Sequence, residues 1–179
     1  MKQILSLTLC LCLFAVTTLA QTGNTFKNIR YQGGTLATTT KTDSWDNNLT
    51  VTSDAITLKL KDGQSMTLNP KQVTGLSYGQ EAHRRVGTMI ALAVLLTPLA
   101  LFGLMHKKRN HYIGVEYALA DDKKGAWLLQ ADKDNYKGVL MALRGATGAK
   151  VAVAPDDRKY VPTGIETVEV KSEEKKKSD

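Results

Sequence analysis

The chain has 179 residues, 24 Lys and Arg against 17 Asp and Glu, a formal net charge of +7, two cysteines and two tryptophans. Cys10 and Cys12 both fall in an N-terminal apolar run, so residues 21 onward hold neither a disulfide nor a cysteine-metal site. The basic excess suits anionic lipid or polyanionic envelope material, and Trp45 and Trp127, without interleaved basic residues, give no nucleic-acid motif.

The N-terminus reads as an export signal over residues 1–20. Lys2 is the positive n-region, Ile4 to Val16 the apolar run, and Thr18-Leu19-Ala20 the small residues of a cleavage site before Gln21. An uncleaved anchor is the alternative. The chain beyond the signal is long enough for one domain, expected over 24–154, and a charged, disordered tail over 155–179.

Short strands come first. Phe26 to Tyr31 is one candidate, closed by Gly33-Gly34, and Thr35 to Thr42, polar on both faces, predicts an edge strand. Ser44 to Asn48 reads as a turn. Ile56, Leu58 and Leu60 then alternate with polar residues, Asp62-Gly63 supplies a hairpin turn, and Met66 and Leu68 continue the alternation. Asn69-Pro70 breaks that run before Lys71 to Tyr78 resumes it.

Val86 to Met105 is a run of twenty residues without a charge. His83, Arg84 and Arg85 precede it; His106, Lys107, Lys108 and Arg109 come after it. Beyond it, Ile113, Val115 and Tyr117 alternate with Gly114 and Glu116, Asp121 to Gly125 is a turn, and Ala126 to Gln130 a strand. Asp132 can cap a helix from Lys133 to Arg144, with Tyr136, Val139, Leu140 and Leu143 on one face, ended by Gly145 or Gly148. Val151 to Ala154 is a weak further strand.

The fold class is therefore mainly β with α: about seven strands in a meander or half-barrel, capped by an amphipathic helix, with a hydrophobic helical insert at 86–105. The ending YIGVEYALADDKKGAWLLQADKDNYKGVLMALRGATGAKV resembles the last strands and C-terminal helix of bacterial pleckstrin-homology-like (GRAM-like) domains. The resemblance covers residues 26–152, apart from the insert, and implies a fold used to bind lipids or proteins. It brings no lipid-binding residue with it.

Two geometries compete for the insert. As a single span, twenty residues at about 1.5 Å each match the hydrocarbon thickness and put the flanks on opposite sides. As a one-sided hairpin, both flanks stay together and Pro98 supplies the bend. Flanking charge is balanced, so orientation by positive charge does not decide. Core building does: residues 106–154 are too few to fold alone, and the strands before the insert lack a cover. One-sided insertion is the expectation, on the extracytoplasmic side of a cell-envelope membrane. A helix buried in a soluble core is the remaining alternative.

The expected function is a non-enzymatic membrane-associated binding or scaffold domain. Arg84, Arg85, Lys107, Lys108 and Arg109 are the candidate headgroup contacts, anionic lipid the expected partner, a protein partner the second possibility, and no cofactor or metal is expected. A single-pass signalling or assembly subunit is the alternative. Gly75-Leu76-Ser77-Tyr78-Gly79 also matches the nucleophile elbow of serine hydrolases, but the chain lacks the βα alternation that builds the hydrolase sheet. His83, His106 and His111 flank the insert and could approach one another as zinc ligands, though cations surround them.

Overall fold

The structure, a computed structural model, describes residues 23–80 and 110–170. The signal, the 86–105 run, Arg84, Arg85, Lys107, Lys108, Arg109, His83, His106 and residues 171–179 lie outside the described residues. Among the described residues, no helix is long and apolar enough to cross a membrane.

The protein is mainly β. Nine strands form one sheet: β1 (Asn24–Gly34), β2 (Asn47–Val51), β3 (Ile56–Lys59), β4 (Ser65–Leu68), β5 (Val73–Gly79), β6 (His111–Ala118), β7 (Lys124–Ala131), β8 (Val151–Val153) and β9 (Thr167–Glu169). Their spatial order is β4-β3-β2-β1-β7-β6-β5-β8-β9. A single helix among the described elements, α1 (Tyr136–Thr147), lies between β7 and β8, with short 3-10 turns at Pro70–Gln72 and Pro155–Tyr160.

This differs from a seven-strand meander in three places. Thr35 to Thr42 forms no strand; its threonines serve a loop instead, with the Thr38 hydroxyl and Thr39 N–H donating to the Asp62 carboxylate at the β3–β4 turn. The place beside β1 is taken by β2, an interior strand between β1 and β3, which begins inside the SWDNN stretch because the Asn47 side chain bonds the Ile29 carbonyl and the Lys61 N–H. The chain also does not end on its helix. After α1, β8 pairs in parallel with β5 and β9 in parallel with β8, so residues 155–170 are structured where a disordered tail was expected.

One face of the sheet makes the core. Ile29, Tyr31, Leu49, Leu58, Leu76, Tyr78, Ile113, Val115, Trp127 and Leu129 share a cluster with Tyr136, Val139, Leu140 and Leu143 of α1. The sheet curls around them: the Tyr117 hydroxyl of β6 reaches the Met66 sulfur of β4, 3.6 Å away, although those strands stand five places apart in the sheet. α1 starts later than a cap at Asp132 predicts. The Asp132 carboxylate accepts from Asp134 and Asn135 N–H in the preceding turn, so regular helix begins at Tyr136. Gly148, at φ +69°, ends it in the left-handed conformation and returns its N–H to the Arg144 carbonyl.

Candidate functional site: the root of the 81–109 segment

β5 and β6 are consecutive strands in the described chain and immediate neighbours in the sheet. They pair antiparallel from Val73↔Tyr117 to Gly79↔Tyr112, and one further bond closes the pair as Asn110 N–H donates to the Gln80 carbonyl at 3.2 Å. Residues 81–109 thus leave and re-enter the domain at one point. Gln80, 8% exposed, also offers its own N–H to the carboxylate of Asp157 at 3.4 Å, which ties the 3-10 turn Pro155–Tyr160 to the same place.

An aromatic stack braces this root. The His111 and Tyr136 rings lie parallel with centroids 3.6 Å apart, and Tyr78 stacks on Tyr136 at 5.7 Å. The Tyr78 hydroxyl and His111 Nδ1 share a hydrogen bond of 2.8 Å, while the Tyr136 hydroxyl donates to the Tyr160 carbonyl at 3.1 Å. Strand ends, helix start and 3-10 turn are joined by three side chains and the Tyr160 carbonyl. Burial, and then the charge of Lys137, hold the His111 imidazole below its ordinary pKa against the opposing pull of Asp132. Burial also raises the Tyr136 phenol.

The root carries charge of both signs. Lys137 stands over the Tyr136 ring at 5.9 Å and Lys159 over the Tyr160 ring at 5.3 Å, with Asp132 in the turn before α1 and Asp156 and Asp157 in the 3-10 turn. Neither lysine stands out in the sequence as a membrane contact, because only the fold brings α1 and the 155–160 turn to this end.

The other sequence candidates fare differently. Gly75 to Gly79 lies wholly inside β5 in register with β6, so Ser77 sits in a regular strand rather than on the sharp strand-to-helix turn that a nucleophile elbow needs. Ser77 is fully buried, and strand alternation turns it to the face opposite Tyr78, the residue that bonds His111. Of the three histidines only His111 lies among the described residues, and no group of three His, Cys, Asp or Glu among those residues is placed to hold a metal.

A concavity of about 530 Å³ opens between the start of β1, the end of β2 and the outer flank of α1. Phe26, Gly138, Met141 and Ala142 line it, and Met141 is 57% exposed.

No family model matches the chain, and no curated protein matches it. Among solved structures, a chain of the Spt16D Pob3N heterodimer is similar over 74% of this chain, with a TM-score of 0.43 and 8% identity. The alignment spans about half of that chain's length, 55%. Likeness at that level does not assign a fold family.

Proposed function

We propose that the protein is a non-enzymatic, exported, membrane-associated binding domain of pleckstrin-homology-like architecture, anchored by residues 86–105 inserted from the extracytoplasmic side. Arg84, Arg85, Lys107, Lys108 and Arg109 form a basic collar at the anionic headgroups, and the curled sheet with its α1 cover presents a surface to lipid or a protein partner.

The observation that carries this reading is the pairing of β5 with β6 up to Gln80 and Asn110. A single crossing would separate Val86 from Met105 by about 30 Å of hydrocarbon. Gln80 and Asn110 touch, so both flanks start from one side and one of the short connections would have to run back through the bilayer. An excursion that enters and leaves on the same side avoids that cost, and Pro98 gives it a place to bend. The collar contributes about 1 kcal/mol per basic residue near an anionic surface, weakened by salt.

Membrane-impermeant labelling tests the reading. Cysteines placed singly at Lys71 and Asp122, both exposed and on either side of the insert in sequence, should react from the same face of a sealed membrane. Reaction from opposite faces would replace this proposal with the single-pass signalling or assembly subunit.

A further inference from the structure

The core occupies one face of the sheet, yet part of the other face is also hidden from water. By strand alternation Gly75, Ser77 and Gly79 of β5, Tyr112 and Gly114 of β6, and Ala126, Leu128 and Gln130 of β7 turn away from α1. Leu128 and Ser77 are 0% exposed and Tyr112 is 5% exposed, although none of them belongs to the core cluster. On the same face Ala152 of β8 is only half-buried and Val168 of β9 is 47% exposed. Burial thus falls off from β6 toward the β9 edge. On the β1 side the loop after β1 lies over this face, with Gln32 Nε2 donating to the Thr42 carbonyl and the Arg30 guanidinium 4.1 Å from the Trp45 ring centre.

A side chain loses its solvent only when something rests on it. Glycine and serine across β5 and β6 leave a shallow trough, which lets a helix approach the backbone closely. At the end of that trough stand Gln80 and Asn110, from which a 29-residue stretch departs and to which it returns. A helix over residues 86–97 would be about 18 Å long. Three strands at about 4.8 Å spacing need no more than that to be covered.

We propose that the outer face of β5, β6 and β7 is the docking face for this chain's own apolar stretch, 86–97, when no bilayer takes it. This rests on the membrane reading above and deepens it: the segment has two alternative beds, a small-residue sheet face and a lipid surface, and anchoring is an exchange between them. Such exchange keeps the twelve uncharged residues 86–97 out of water before the protein reaches a membrane.

Oxidative cross-linking in the full chain tests it, with Cys10 and Cys12 changed to serine, Ser77→Cys in the trough, and a second cysteine moved singly through positions 88–96. Cross-links recurring every three or four positions in vesicle-free solution, and falling several-fold on adding vesicles rich in anionic phospholipid, are expected. Val168→Cys, on the open part of the same face, should give none of them. Co-flotation with vesicles but no cross-link in solution at any position overturns the docking face and leaves the membrane reading standing. Cross-links without flotation overturn the membrane reading instead, and cross-links that vesicles leave unchanged overturn the exchange.

Discussion

Tyr78→Phe removes one oxygen from the root of the insert and nothing else. Tyr78 is 0% exposed, its hydroxyl lies 2.8 Å from His111 Nδ1, and the ring remains to stack on Tyr136 at 5.7 Å. A hydrogen bond of this kind contributes a net 0.5–1.5 kcal/mol or so, and half-buried His111 recovers part of the loss from water. For a domain of this size the melting temperature should drop by roughly 3–6 °C at pH 8. The pH dependence makes the test sharper. In the wild-type chain burial keeps the His111 pKa below its unfolded value of about 6.5, so the unfolded state binds more protons below that pH. Stability is complete above about pH 6.5 and declines as the pH falls toward the folded-state pKa. In the Nε2-protonated tautomer the Tyr78 hydroxyl donates to Nδ1 and favours the neutral imidazole, so with that tautomer its loss moves the His111 pKa up. The gap between variant and wild type should therefore be widest at pH 8 and should narrow toward pH 5. Urea unfolding across that range, with the His111 ring followed by NMR titration, reads both effects. A gap that widens on acidification, or a wild-type His111 titrating above the ordinary imidazole range, would refute the reasoning.

Leu140→Ala should cost about 2–5 kcal/mol by urea unfolding, because Leu140 is fully buried where α1 meets the sheet. Replacing Asp62 by Asn should flatten the acid limb of the stability curve. The hydrogen bond from Thr38 foremost, with backbone N–H groups of Gln64 and Thr39, holds its pKa at about 2, so its contribution is present above about pH 4 and lost toward pH 2. Neutralising Arg84, Arg85, Lys107 and Lys108 to Gln should weaken binding to anionic vesicles by roughly a hundredfold or more at low salt, from about 1 kcal/mol per charge. Binding that is unchanged, or equally strong to neutral vesicles, would reduce those residues to mere flanks.

Alternation was the legible part of this fold. The faces assigned to Ile113, Val115 and Tyr117 and to Ile56 and Leu58 are ones the structure buries in the core: β3 shows its period because its other face is wetter, β6 because large apolar core residues alternate with Gly114 and Glu116. Strands whose pairing depends on distant partners were not legible. β2 hides behind SWDNN since its start is fixed by Asn47 bonding to Ile29 eighteen residues away, and β9 is three residues, too short to show a period; β8 was expected at Val151 to Ala154, but not its parallel pairing with β5. Thr35 to Thr42 has β-prone composition but no apolar face to bury, and its hydroxyls found Asp62 instead. The root of the insert was half legible. Its charges flank a visible apolar run, but the stack of Tyr78, His111 and Tyr136 draws on three elements that only tertiary structure brings together.

The position of the interruption decides how much the fold must give up for it. Closing a flexible loop of 29 residues in place of one of four costs only about 1.8 kcal/mol, since closure entropy grows with the logarithm of length. Against this stand the antiparallel ladder from Val73 to Gly79 and the buried Leu76, Tyr78, Ile113 and Val115 that β5 and β6 set into one core with α1. Each strand of the pair buries its apolar face only because the other half of the chain is present: α1 and β7 come after the insert, β1 to β4 before it. Separated halves would expose Leu49, Leu58 and Leu76 on one side and Val139, Leu140 and Leu143 on the other. At about 1.5–3 kcal/mol for each buried aliphatic side chain, that exposure outweighs the loop entropy several times over. The apolar run is therefore cheap to carry inside this domain and costly to use as a divider.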